Sequence, residues 1–425
     1  MIKNVSFTNF KSLRRVDAEV GRLMVIVGPN GSGKTSILDG LHYLAQATMK
    51  PLAAIFDDVF APSSLKTRGS AEPMRLALEG RFQGVDAGVE AVIMCKDKDV
   101  PGGVPTWNAT VSRRWGETEE RTSETSAGVQ QLPKPPHPGT GVPLKAPAPR
   151  TVLRLPAPPP PLKKSMVRGP MVPDMAALAA ELGSARKLRL DVELLAAPSY
   201  SHEATPRLGV DGRGLASVLA DVAGGSPEVL QSITEAARRI IPALERIRTR
   251  RAKVRQVEQQ EIRIDDQPIP HAVNRDYWGQ QLLLDFKGAP DVLAPLASEG
   301  TLLIIGLLTA LWTEPRPRLL LLDDMDKALH PRAQRELVGQ LRNVLEMDPE
   351  LQIIATSHSP HLLDHFEAKD VLVTALRPDG STACAPLTDH PDFNRWKNTT
   401  QPGELWSFLG DDWVARQASA SEGRG

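Results

Sequence analysis

The stretch G-P-N-G-S-G-K-T, residues 28–35, decides how the rest of the chain is read. It follows a short apolar run, Leu23 to Val27, and precedes an amphipathic helix with Ile37, Leu38, Leu41, Leu44 and Ala45 on one face. Strand, glycine-rich loop and helix in this order are the context that a Walker A motif requires. Across Gly28, Pro29, Asn30, Gly31, Ser32 and Gly33 the glycines let backbone N–H groups converge on a β-phosphate. Lys34, Thr35 and Ser36 open the helix, whose amino terminus adds its dipole. Lys34 is expected to reach the β and γ oxygens of ATP, and the Thr35 hydroxyl to coordinate Mg²⁺.

A phosphate loop needs a second half, and Leu319 to Leu322, four leucines ending in Asp323 and Asp324, has the form of a Walker B. A buried parallel strand delivers carboxylates to its carboxyl-terminal edge, beside the loop. Asp323 is expected to hold Mg²⁺ through water, and Asp324 stands where a base would orient the attacking water. One strand-helix unit later, Leu351 to Thr356 ends in S-H-S-P, which places His358 to sense a γ-phosphate. Upstream, A-S-E-G-T at 297–301 opens a helix, with Ser298 as its cap and Glu299 in its first turn.

The remaining chain fits around these motifs. Apolar strands and helices alternate from Leu282 to Thr356, the pattern of a parallel sheet covered by helices. Further strands are expected at Met74 to Phe82 and Glu90 to Cys95, a helix near Ala176, a strand in K-L-R-L-D-V-E-L-L (187–195), and two helices from Gly214 to Leu244. Between 125 and 173 prolines crowd in, acids vanish and seven lysines or arginines appear, the composition of an extended arm or linker. The expected organisation is therefore an amino-terminal lobe at 1–124, the arm at 125–173, an insertion or helical lid at 174–280 and a carboxyl-terminal lobe at 281–425.

The 425 residues, 41% hydrophobic and 24% charged, have the composition of a folded globular protein. Its 51 basic and 51 acidic residues cancel, so bulk charge cannot make it a nucleic-acid coat, although a local patch can still bind. The two cysteines, Cys95 and Cys384, cannot form a disulfide framework and lack metal-ligand spacing, which fits a cytoplasmic setting. The longest apolar run, Thr301 to Trp312, is too short to span a bilayer, and the amino terminus lacks a signal-peptide pattern, so no membrane partner is expected.

Taken in order, I-K-N-V-S-F-T-N-F-K-S, G-P-N-G-S-G-K-T-S, A-S-E-G-T, L-L-L-L-D-D-M-D-K-A-L-H-P and I-I-A-T-S-H-S-P resemble the ABC-type ATPase heads of the RecF, SMC and OLD kind, particularly stand-alone bacterial AAA family ATPases. The resemblance implies an α/β P-loop head and an ATPase that works as a head-to-head homodimer with two sandwiched ATP molecules. Ser298, Glu299 and Gly300 would be the signature that touches the γ-phosphate held by the opposite subunit, Asp326 to His330 the D-loop, and His358 the switch histidine. The chain departs from the family pattern in three places. Asp324 replaces the usual glutamate, which would slow hydrolysis; Ala297 replaces a common leucine; and the usual glutamine loop has no matching motif, with Gln83, just after the Met74 to Phe82 strand, its candidate. Adenine contacts are expected near Lys11 to Arg15.

The resemblance implies DNA repair or phage defence without choosing between them. Arg246 to Arg255 holds six basic residues in ten, either a cationic strand face for double-stranded DNA or a solvated edge that discourages strand pairing; no aromatic is interleaved in it for base stacking. Acids after His358 are scattered, so an intrinsic nuclease is not expected, and any cutting would fall to a partner nuclease or effector protein. Three functions compete: an ATPase switch coupled to DNA or a partner, a slow nucleotide-sensing scaffold, and a transporter subunit, the last disfavoured by the N-F-K-S start and the long proline-containing middle.

Overall fold

The computed structural model describes residues 1–56, 62–96, 106–125, 128–131, 173–264 and 267–422. The proline-rich arm lies outside these residues, apart from Thr125, the short strand Gly128–Gln131 and Pro173.

Strands β1 (Ile2–Phe10) and β2 (Leu13–Glu19) form a hairpin, and β3 (Leu23–Val27) leads into the helix Lys34–Ala47. The chain returns as β4 (Met74–Phe82), β5 (Val85–Lys96), β6 (Thr106–Trp115), β7 (Thr118–Thr125) and β8 (Gly128–Gln131). Later come β9 (Arg186–Leu188), the long pair β10 (Leu244–Ile264) and β11 (Gln267–Phe286), and β12 (Ala289–Leu293). The last strands are β13 (Leu319–Leu322), β14 (Gln352–Thr356), β15 (Val371–Leu376) and β16 (Thr382–Pro386).

These build three sheets. One is antiparallel, in the order β2-β1-β4-β5-β6-β7-β8. The second, β16-β15-β3-β14-β13-β9, is parallel except for β16 at its edge. The third is the ribbon β10-β11 with β12 beside its base.

The unbroken apolar runs of β3 and β13 follow from burial on both faces of the parallel sheet. Leu23, Val25, Val27, Leu320 and Leu322 face a core shared with the helix Glu299–Trp312. Met24, Ile26, Leu319 and Leu321 face a second core, filled by the helix Lys34–Ala47 and the antiparallel sheet. A helix facing a core with one side only keeps its amphipathic pattern, whereas Glu299–Trp312, with ten buried residues, is apolar almost throughout.

The stretch 187–195, expected as a strand, is one only at its start. β9 ends at Leu188, and the Asp191 carboxylate then accepts from Glu193 N (2.9 Å) and Leu194 N (3.2 Å), which caps the short helix Val192–Ala196. Residues 186–188 thus form an edge strand of the parallel sheet within the stretch expected as an insertion. After Thr356 the chain completes the same sheet with β15 and β16, and Leu405, Trp413 and Val414 return to its core.

Candidate nucleotide site

The register of three neighbouring strands makes the site. β14 lies between β3 and β13, pairing Thr356 with Ile26 and Ala355 with Leu322, so their carboxyl-terminal ends lie side by side. The chain leaves those ends as the phosphate loop, the Asp323–Asp324 pair and the Ser357–His358 turn, at the edge where open α/β sheets bind ligands.

The loop is held so tightly that only glycine fits at two positions. A Cβ on Gly28 (φ 146°) would strike the Thr374 carbonyl of β15, and one on Gly33 (φ 93°) would strike the Thr382 hydroxyl of β16. Ser32 Oγ lies 2.6 Å from Thr374 Oγ1, and Thr382 Oγ1 donates to Ser12 Oγ at 2.9 Å, so the antiparallel edge and the first hairpin brace the cradle. Lys34 folds over the loop and donates to Gly28 O and Pro29 O, both at 2.8 Å. Burial lowers its pKa from the ordinary lysine value, opposed chiefly by the carboxylates of Asp324 and Asp323.

Asp323 is 6% exposed. Its Oδ1 accepts from Thr35 Oγ1 (3.0 Å) and Thr356 Oγ1 (2.9 Å), whereas its buried Oδ2 has no hydrogen-bond partner. Arg189, mostly exposed, brings its Nε to 3.9 Å from that oxygen. One carboxylate with a free oxygen, next to a hydroxyl and a phosphate cradle, suits Mg²⁺, which takes few protein oxygens and completes its octahedron with phosphate and water. Thr35 and Asp323 are the residues that would hold it.

Asp324 has a left-handed backbone (φ 55°), a conformation that aspartate tolerates better than most residues. Its amide donates to Thr356 Oγ1 at 2.8 Å, and its Oδ1 lies 3.6 Å from His358 Nε2. Both side chains are more than a third exposed.

Lys34, Thr35, Asp323, Asp324 and His358 therefore come together, and Ser298, Glu299 and Gly300 do not join them. Ser298 caps its helix by accepting from Thr301 N at 3.3 Å, and Ser298 and Glu299 are exposed. A Cβ on Gly300 would lie 3.0 Å from Ala328 O, so the signature rests on the 326–330 loop. That loop in turn reaches the other motif, since Asp326 Oδ1 accepts from His358 N at 3.3 Å.

Gln83 is not beside the loop. It occupies the turn between β4 and β5 and donates to Glu181 at 2.6 Å. β4 pairs Arg75 with Thr8 and Gly80 with Ile2, so Gln83 stands at the end of the sheet opposite the Lys11–Ser12 turn. Lys11, from the stretch expected near adenine, instead binds the Asp39 carboxylate on the Lys34–Ala47 helix, which also receives Lys187. Thr356, which lies in the I-I-A-T-S-H-S-P stretch but has no role assigned there, and Arg189, outside every motif, are brought to Asp323 by the register of β9, β13 and β14.

Two family models match the chain. The first, described as AAA domain, putative AbiEii toxin, Type IV TA system, covers residues 172–364, and the second, AAA ATPase domain, covers residues 1–83. Together they span more than half of the sequence. No curated protein matches it. Solved structures similar to the chain include an SMC head bound to the C-winged helix domain of ScpA, with 13% identity, 90% of this chain and 96% of the other covered, and a TM-score of 0.47. The SMC head domain from Thermotoga maritima gives 14%, 91%, 98% and 0.41 for the same quantities. The Smc head from Pyrococcus furiosus, with an extended coiled coil and bound to the C-terminal domain of ScpA, gives 11%, 94%, 99% and 0.46.

Proposed function

We propose, for a chain that is an ABC-type P-loop ATPase of the RecF and SMC lineage, that ATP binding closes two copies head to head and that hydrolysis reopens them, passing the motion to DNA or to a partner effector. The observation that carries this reading is the convergence of Lys34, Thr35, Asp323, Asp324 and His358 at one sheet edge, with the signature held outside it. That the signature rests on its own chain's 326–330 loop and presents Ser298 to solvent supports a role in meeting a phosphate on another copy.

In this mechanism the loop amides and Lys34 bind the phosphates, and Lys34 exchanges two carbonyl partners for phosphate oxygens. Bound Mg²⁺ would neutralise charge developing on the β and γ oxygens. Asp324 orients the attacking water and His358 contacts the γ-phosphate from the facing side. Asp326, bonded to the His358 amide and part of the loop under Gly300, links each chain's own γ-phosphate to the signature it offers its partner. The family description, which names a toxin–antitoxin system, supports a defence setting over repair.

Steady-state ATP hydrolysis with and without linear double-stranded DNA, against Lys34→Ala as background, tests the reading. A Lys34-dependent rate that rises with DNA supports DNA coupling, and one indifferent to DNA moves the output to a protein partner. No rate above background would favour a nucleotide-sensing scaffold, the second reading, which rests on the short reach of Asp324.

A further inference from the structure

The strand β10 has no aromatic within its basic stretch, but its partner supplies one. In the β10–β11 register Lys253 faces Trp278 directly and Arg251 faces Gln280, so the three side chains of Arg251, Lys253 and Trp278 share one face of the ribbon. Arg251 Cζ lies 5.6 Å and Lys253 Nζ 5.9 Å from the indole centroid. The indole is 61% exposed, an unusual state for the largest apolar side chain. Among the described residues no acid pairs with Arg251 or Lys253, while Arg255, next on that face, is paired with Asp276 at 3.3 Å.

The opposite face is backed by Tyr200, which stacks on Tyr277 with centroids 4.6 Å apart and planes 9° apart, while Ser199 exchanges two 2.8 Å backbone hydrogen bonds with Gln280 along the β11 edge. A Cβ on Gly279 would strike the Ser199 carbonyl. The ribbon is thus backed on one face and leaves an exposed indole on the other, beside two cations that have no acidic partner among the described residues. A solvated edge strand needs the cations and gains nothing from the indole. Phosphates and an unstacked base need both, because cations track the backbone while any base can stack on the ring. A duplex keeps its bases stacked on one another and offers the indole no free face.

We infer that the Arg251–Lys253–Trp278 face of the ribbon binds single-stranded nucleic acid, with Trp278 stacking on an unpaired base and Arg251 and Lys253 contacting flanking phosphates. The inference rests on the nucleic-acid coupling proposed above and deepens it by naming the strand form and the surface.

The test is fluorescence anisotropy of a short fluorescein-labelled oligothymidylate with the full chain, free of nucleotide, together with quenching of tryptophan emission. Trp278→Ala should lose about 5- to 150-fold in affinity and most of the quenching, and Trp278→Phe should retain much of the affinity. Arg251→Gln and Lys253→Gln should each reduce the slope of log affinity against log salt by about 0.7. Absent binding, or binding that ignores all three positions in variants with unchanged thermal melting, overturns the inference. So does a duplex that binds more tightly than the single strand and is indifferent to Trp278→Ala. Displacement by polyglutamate as effective as by unlabelled oligothymidylate would assign the face to an acidic protein instead. Lys34→Ala should keep oligonucleotide binding while abolishing hydrolysis, so failure of the ribbon and failure of the ATPase reading are separately visible.

Discussion

At the residue scale the site turns on Asp324. Its carboxylate approaches His358, and its φ of 55° sits where aspartate and asparagine are at home and glutamate is not. Asp324→Asn should keep the backbone and nucleotide binding while lowering turnover by about 10²- to 10⁴-fold, read as phosphate release at saturating ATP. Asp324→Glu should cost roughly 1 kcal/mol of stability through backbone strain, measured by urea unfolding. If its turnover nevertheless rises, the aspartate keeps the native enzyme slow, and the scaffold reading gains. The motif residues Lys34, Thr35, Asp323 and His358 were legible in the sequence because each follows an apolar strand at a characteristic offset. Thr356 and Arg189 were not, because a threonine ending one strand and an arginine beyond another acquire meaning only when the strands pair.

At the element scale the helix Lys34–Ala47 carries a titratable group into its packing. Its His42 is half-buried, Nε2 lies 2.8 Å from Gln46 Nε2, and the buried Nδ1 has no hydrogen-bond partner. Burial, reinforced by the Lys187 charge, lowers the His42 pKa from 6.5 to about 4. Between those values the unfolded chain takes up a proton that the folded chain refuses. Stability should therefore be unaffected by this group above pH about 6.5 and fall as pH drops towards about 4, by at most about 3 kcal/mol. His42→Leu should flatten that part of the pH profile in urea titrations. The signature helix permits a different test: Ser298→Arg, at an exposed cap, should leave ATP binding intact and abolish ATP-dependent dimers in light scattering. A dimer that survives this substitution would remove the signature from the interface.

At the scale of the whole molecule the ribbon meets the core at its base and is held further along by Ser199 and Tyr200. Among the described residues of its strands, Leu244, Ile247, Leu282 and Leu284 join the core cluster and Phe286 packs against it, all near the base, and Arg250 faces Gln281 in the register. Joining Arg250 to Gln281 through an Asn-Gly turn should leave ATP binding intact and unfolding cooperative, at a cost in stability from the lost Ser199–Gln280 and Tyr200–Tyr277 contacts, while oligonucleotide binding is lost. Gross loss of folding would show that the ribbon supports the head. By itself the sequence determined the P-loop motifs, the α/β class and the strands that carry those motifs, since periodicity, glycine spacing and acids after apolar runs are local signals. Tertiary structure alone decided that Asp191 ends a strand by capping a helix, that Gln83 stands at the far end of its sheet, and that Trp278 lies between Arg251 and Lys253. The physical reason is register: which side chains become neighbours across a sheet depends on pairings between residues distant in the chain, which no local pattern encodes.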